Sequence, residues 1–241
     1  MKAILLAAGK GKRLGELTKS VPKPMLRIGR KPILEYNIEW LRDYGIREIF
    51  INLHYLPDLI RNYFKKGKKW GVKIEYSYEP NLLGTAGAVR KIFEDYQIKN
   101  SCNENKDNPF LVVYGDNLYE FNLSELKNFH EKNKGIATIG LHEKEKVDQS
   151  GIVLLNDKNR ITKFIEKPNA HEMISHLVNT GLYILEPQVL EYIPSNKSLD
   201  FGKDIFPKMI QKNEKITGVI LKGKLTAVDT PALYKEIRNN H

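Results

Sequence analysis

The chain has 241 residues, with 39 lysines and arginines against 29 aspartates and glutamates, and so a formal net charge of +10. That length can bury a sizeable core in one large domain, and the charge admits nucleic acid, anionic membrane or phosphorylated small molecules without choosing among them. A single cysteine, Cys102, excludes an internal disulfide framework and a cysteine zinc site, and no stretch nears the roughly 20 apolar residues of a membrane span, which together place the protein in the cytoplasm with no targeting segment.

In chain order, Ala3–Ala8 has the length and composition of a buried strand and runs into G-K-G-K-R. Gly9 and Gly11 remove the side chains that would keep a bulky ligand from the backbone, so the loop suits an anion. Arg13 adds a fork-shaped phosphate ligand, and Lys23, pinned between Pro22 and Pro24, loses little entropy on binding one. Helical spacing follows at Ile33–Tyr44, Pro57–Lys66, Ala86–Tyr96 and Leu123–Lys132, alternating with strands at Glu48–Asn52, Val72–Tyr76, Phe110–Tyr114 and Gly135–Leu141. Alternation through about residue 140 predicts an α/β, Rossmann-like, mainly parallel sheet with helices on both faces and ligands at the carboxyl ends of strands.

Beyond it, Gly151–Leu155, Ile161–Ile165, Val178–Leu185 and Ile216–Leu221 read as strands of a mixed-sheet extension, ahead of a short strand at Leu225–Val228 and a helix at Thr230–Asn239. No Gly/Ser or Pro-rich linker intervenes, so the reading is one domain of 1–241, with one part to about residue 140 and a second part after it; Asn100–Asn108 reads as an exposed loop. Two glycine motifs fail at the opening. A dinucleotide fingerprint needs glycine or alanine where Leu14 stands, and no Gly-Lys-Ser/Thr occurs at P-loop spacing.

The stretch GKGKRLGELTKSVPKPM resembles the signature of the sugar-1-phosphate nucleotidyltransferases, and the likeness continues through LLGTAGAV, VVYGDN, FIEKP and NTGLYI to about residue 230. Lys12, Glu16 and the segment AVDTPALY depart from the common pattern, the last of them at a metal ligand. The resemblance implies a nucleotide-diphospho-sugar transferase fold without a left-handed β-helix, and attack of a sugar-1-phosphate oxygen on the α-phosphorus of a nucleoside triphosphate. Such a reaction needs cations, N–H donors and a divalent metal more than a nucleophilic side chain. On this reading Ala8, Gly9, Gly11 and Arg13 hold the triphosphate, and Arg13 and Lys23 are catalytic. Asp116 and Asp229 hold Mg²⁺, although Asp229 would serve equally as a helix N-cap.

On the sugar side the resemblance assigns Glu166 to hydroxyls and Lys167 to the phosphate, their side chains diverging on an extended segment, with Asn179, Thr180 and Gly181 approaching the sugar. Gly84 and Thr85 lie in a segment like that of mannose-1-phosphate and heptose-1-phosphate guanylyltransferases, where glycines would let the backbone lie along the base. Glu79 could accept from guanine N1–H and N2–H₂, or from the cytosine amino group, so GTP is favoured while cytidylyl-, thymidylyl- and uridylyl-transfer, or a phospho-alcohol acceptor, stay open. Trp40 and Trp70 read as packing. A nucleic-acid module is disfavoured because the lysines are scattered without aromatic stacking, and a non-catalytic nucleotide-binding regulator because Arg13, Lys23, Asp116 and Lys167 are intact. Homo-oligomerisation is left open.

Overall fold

A computed structural model describes residues 1–98 and 109–239. The loop expected at Asn100–Asn108 lies outside them. Their elements are β1 (Ala3–Leu6), β2 (Arg27–Ile28), β3 (Lys31–Pro32), α1 (Ile33–Asp43), β4 (Glu48–Leu53), α2 (Pro57–Phe64), β5 (Lys73–Tyr78), α3 (Gly84–Asp95) and β6 (Phe110–Tyr114). They continue through β7 (Asn117–Tyr119), α4 (Leu123–Asn133), β8 (Ala137–Glu143), β9 (Gly151–Leu155), β10 (Ile161–Glu166) and β11 (Leu177–Leu185). The last are α5 (Phe206–Gln211), β12 (Ile216–Ile220), β13 (Leu225–Ala227) and α6 (Pro231–Asn239). No helix of the described residues is long and apolar enough to cross a membrane.

The chain divides into two compact units that do not follow a single cut near residue 140. The first comprises Met1–Leu82, Val113–Glu120 and Lys224–His241. Its β1, β4 and β5 form a parallel run, with Ala3 opposite Ile49 and Glu48 opposite Lys73. Every residue of β1 is buried, as a parallel strand covered on both faces requires. α1 supplies one cover: Ile33, Leu34, Ile38 and Leu41 are all 0% exposed at helical spacing. The same helix buries Glu35, whose carboxylate accepts the Tyr63 hydroxyl at 2.6 Å and Trp70 Nε1 at 3.1 Å. Those two bonds offset the cost of burying the charge, and burial together with Glu35 pushes the Tyr63 hydroxyl up to about 12. Trp70 is therefore a packing residue, and Trp40 stacks on Tyr119 at 5.5 Å, as expected.

The second unit comprises Leu83–Val112 and Phe121–Gly223. Here β8 pairs antiparallel with β11 and parallel with β12, while β9 pairs antiparallel with β10 and β11. The strand expected at Gly135–Leu141 thus starts two residues later, and its partners are those of the mixed extension. Both its ladders come from segments far along the chain, which local periodicity does not report. An aromatic cluster anchors α5: Tyr183 meets Phe206 edge-on at 5.1 Å and Phe206 stacks on Phe201 at 5.4 Å. The central sheet is mostly parallel and helix-covered, with antiparallel pairs among β8, β9, β10 and β11.

Candidate functional site

In the first unit the chain leaving β1 is tied to a neighbouring strand. The Ala7 N–H donates to Asn52 Oδ1 at 2.7 Å, and Asn52 Nδ2 donates to Glu79 Oε1 at the same distance. Asn52 and Glu79 are 4% and 1% exposed, at the ends of β4 and β5. Glu79 therefore supports the loop through Asn52, where a direct base contact was expected. Asn52 was missed; its signal is a lone amide inside the apolar run I-F-I-N-L.

The two loop glycines differ. A Cβ on Gly9 would meet nothing within 4 Å, whereas Gly11 has φ +62° and a Cβ there would stand 3.0 Å from both Lys23 and Thr18. Gly11 is required by the chain itself, and Gly9 leaves its backbone open to a ligand. Leu14, the residue that broke the dinucleotide pattern, is 2% exposed and packs with Leu26, Ile28, Val228 and Ile237. This anchor leaves Arg13 at the surface, its side chain 59% exposed.

Lys23 begins a 3₁₀ turn, Lys23–Met25, held between its prolines with the side chain only 8% exposed. Its Nζ donates to Asp116 Oδ2 and to Asp229 Oδ1, each at 2.8 Å, and Arg13 Nη2 reaches Asp229 Oδ1 at 3.1 Å. Burial on its own would lower the Lys23 pKa, but the two carboxylates outweigh it and hold the ammonium above its ordinary value.

The carboxylates meet because of a ladder the sequence did not announce. β7 and β13 pair antiparallel with Ala227 opposite Asn117, so the residue before one strand and the residue two after the other come together. Asp116 also follows β6 by two residues, past Gly115, whose N–H donates to Leu6 O at 2.9 Å. At the start of α6 the Thr230 hydroxyl accepts from the Leu233 N–H at 3.3 Å, as a capping side chain does. Two carboxylates, each about one-third exposed and converging on one cation, form the donor set Mg²⁺ takes when phosphate oxygens and water complete its shell. Among the described residues no cluster of three or more metal-ligating side chains occurs, so a closed all-protein cage is not what they build.

In the second unit, Gly84 and Gly87 serve close packing of the chain. A Cβ on Gly84, at φ +70°, would stand 2.4 Å from Leu199 O, and one on Gly87 would stand 2.3 Å from Lys197 O. Leu199 O accepts from the N–H groups of Ala86 at 2.9 Å and Gly87 at 3.2 Å. The side of each glycine where a Cβ would stand is thus filled by segment 197–199. Thr85 turns its hydroxyl to Asp200 Oδ2 at 2.8 Å. Asp200 was also missed, and its signal is an aspartate just ahead of F-G-K-D-I.

Glu166 ends β10 with Oε2 seated against Gly151 and Gly202, where added Cβ atoms would stand at 2.6 and 2.7 Å. Burial, then the Asp200 charge, pushes its carboxyl above the ordinary range, against the pull of Lys167. Lys167 itself has φ +50°, so the pair is not the extended dipeptide that was expected. Thr180 is 1% exposed and donates to Gly140 O at 2.7 Å. It holds the irregularity in the β11–β8 ladder, where Gly181 has φ +74° and donates to Asn179 Oδ1 at 2.9 Å. Asn179 Nδ2 donates to the Tyr183 hydroxyl at 2.7 Å.

The nucleotidyl transferase family model matches residues 2–228. A UTP–glucose-1-phosphate uridylyltransferase of Synechocystis sp. is 39% identical over 221 residues, covering 87% of this chain and 55% of that protein. A mannose-1-phosphate guanyltransferase of Saccharomyces cerevisiae is 33% identical over 217 residues, covering 89% and 57%. Among solved structures, HddC from Yersinia pseudotuberculosis in complex with GMP-PN is similar with a TM-score of 0.77 at 25% identity, over 99% of this chain and 98% of that one. The chain spans a little over half the length of the two curated relatives.

Proposed function

The chain belongs to the nucleotidyl transferase family, and on that premise we propose that it transfers a nucleotidyl group from a nucleoside triphosphate to a sugar 1-phosphate. A phosphate oxygen of the sugar forms the new bond to the α-phosphorus as the α–β bridging bond breaks, and pyrophosphate leaves with that electron pair. The observation that carries this reading is the convergence of Lys23, Arg13, Asp116 and Asp229 within one unit. Two polyanions repel each other, and the residues that answer this are a buried ammonium on a stiff turn, a solvent-facing guanidinium and the open backbone at Gly9.

Arg13 and Lys23 bind phosphate oxygens and stabilise the charge that gathers on the bridging and leaving oxygens. Asp116 and Asp229 would hold Mg²⁺, which when bound supplies further charge neutralisation at the phosphates. Glu79 acts through Asn52 to keep the Ala7 amide, and with it Ala8 and Gly9, in place. In the second unit Glu166, seated between two glycines, accepts from sugar hydroxyls; Lys167 pairs with the sugar phosphate, and Asn179 and Gly181 complete that surface.

GTP with mannose or heptose 1-phosphate is the favoured pair, supported by the LLGTAGAV segment and by the yeast relative. A second reading, UTP with glucose 1-phosphate, is favoured by the 39% identical Synechocystis relative. Pyrophosphate release, measured with each triphosphate against each sugar phosphate in the presence of Mg²⁺, separates them. Release with GTP and mannose or heptose 1-phosphate supports the first reading, release with UTP and glucose 1-phosphate the second, and no release with any pair refutes the reaction itself.

A further inference from the structure

Asp200 stands one residue before a π-helical turn, Phe201–Ile205, that leads directly into α5. It lies in none of the sequence motifs, yet both of its carboxylate oxygens are engaged. Oδ1 accepts the N–H groups of Gly202 at 3.0 Å and Lys203 at 3.4 Å, as an N-cap does. Oδ2 faces the other way and accepts the Thr85 hydroxyl at 2.8 Å. Thr85 Oγ1 in turn accepts the Phe201 N–H at 2.9 Å, so the first turn of α3 and the π turn are joined by bonds in both directions. A cap alone has no need of the second oxygen.

The same turn builds the seat of Glu166. Gly202, whose N–H Asp200 holds, is one of the two glycines against which Glu166 Oε2 rests, and the Phe164 ring closes the same space at 2.9 Å from either added Cβ. A movement of a few tenths of an ångström in this turn would therefore move the carboxylate or collide with it. The charged groups that face Glu166 are Asp200, which opposes its ionisation, and Lys167, which favours it.

We propose that Asp200 is a positioning residue that sets Thr85 and Glu166 from a single point, so that the start of α3 and the carboxylate that reads the sugar hydroxyls are placed together. This rests on the sugar-reading role of Glu166 given above. Asp200 touches neither substrate. It acts through the π turn and through its charge, which makes Glu166 retain its proton to higher pH and so limits how early that carboxylate becomes a pure acceptor.

The test uses the full chain with Asp200→Asn, which keeps an acceptor for Gly202 and a partner for Thr85 but removes the charge, and Asp200→Ala, which removes both. Circular dichroism and melting report the fold. Carbon-13 NMR of glutamate-labelled protein, with Glu166→Gln for assignment, follows the Glu166 carboxyl; pyrophosphate release gives KM for each substrate. In Asp200→Asn the Glu166 titration should move down toward the ordinary carboxylate range, with both KM values within about twofold of wild type at neutral pH. In Asp200→Ala both KM values should rise about fivefold or more, with kcat changing less. A Glu166 titration unmoved in Asp200→Asn, or an unchanged KM for either substrate in folded Asp200→Ala, overturns the proposal. If no substrate pair releases pyrophosphate, the assigned reaction fails, and the NMR titration, which needs no turnover, still decides whether Asp200 acts on Glu166. If Asp200→Ala does not fold, the Asp200→Asn titration decides alone.

Discussion

Replacing Lys23 by methionine keeps the stem of the side chain and deletes the ammonium on which Asp116 and Asp229 converge. Two charge-assisted hydrogen bonds of 2.8 Å are lost, each worth about 1.5–3 kcal/mol when fully shielded. The carboxylates are 32% and 31% exposed, so water takes up much of their charge, and the desolvation cost of the lysine disappears with it. The net loss of stability should then be about 1–2 kcal/mol, or roughly 2–8 °C in Tm for a chain of this size. Catalysis should fall much further, by roughly a hundredfold or about 3 kcal/mol, because on the proposed reaction Lys23 is the cation that faces the transferring phosphate. Because the Lys23 pKa is raised in the fold, its contribution is complete below its ordinary 10.5 and is lost as pH rises through the folded value. The difference in Tm between variant and wild type should therefore stay level from pH 7 to about pH 9.5 and close only above it. Thermal melts across that range, alongside initial rates of pyrophosphate release, check both halves. A folded Lys23→Met chain with wild-type turnover would refute the electrostatic role, and a Tm difference that closes between pH 7 and 9 would refute the ion-pair account.

Asp229→Asn should cut turnover at limiting Mg²⁺ tenfold or more, roughly 1.4 kcal/mol, while Thr230→Ala should cost about 1 kcal/mol of stability and leave turnover intact; because asparagine caps about as well as aspartate, an Asp229→Asn chain with unchanged Tm and wild-type turnover would leave Asp229 no more than a cap. Chelation should abolish pyrophosphate release and added Mg²⁺ restore it, and full activity in chelator would remove Asp116 and Asp229 from a metal role. Gly84→Ala should destabilise by about 2–4 kcal/mol, since it strains a residue at φ +70° and drives a methyl to 2.4 Å from Leu199 O; a denaturant midpoint equal to wild type would contradict that packing. Glu166 has a raised pKa, so its ionisation costs stability: the contribution is favourable below the ordinary 4.5 and is lost as pH rises through the folded value. Glu166→Gln should accordingly melt at or above wild type at pH 7.5 while its KM for the sugar phosphate rises, and a lower Tm with unchanged KM would show the carboxylate to be structural.

Local chemistry was written in the sequence. An unbroken apolar run specified a strand buried on both faces, apolar residues at helical spacing specified α1, and proline on either side of Lys23 specified a stiff turn, because each depends on residues only a few positions apart. The order of motifs was enough to point to the family. What tertiary structure alone decided is which distant groups meet. The β7–β13 ladder is three residues long, too short to carry a periodic signal, yet it brings Asp116 and Asp229 together onto Lys23, Asp229 across 206 positions of chain. Leu14 looked only like the residue that spoiled a glycine motif until its packing beside Val228 and Ile237 explained why Arg13 faces outward. Gly84 and Gly87 promised open backbone, but glycine states only that something approaches closely; packing chose Lys197 and Leu199. Asp200 reads locally as a cap, and its bond to Thr85 spans 115 positions. Such pairings depend on the free energy of the whole packed core, and no short window of sequence contains that sum.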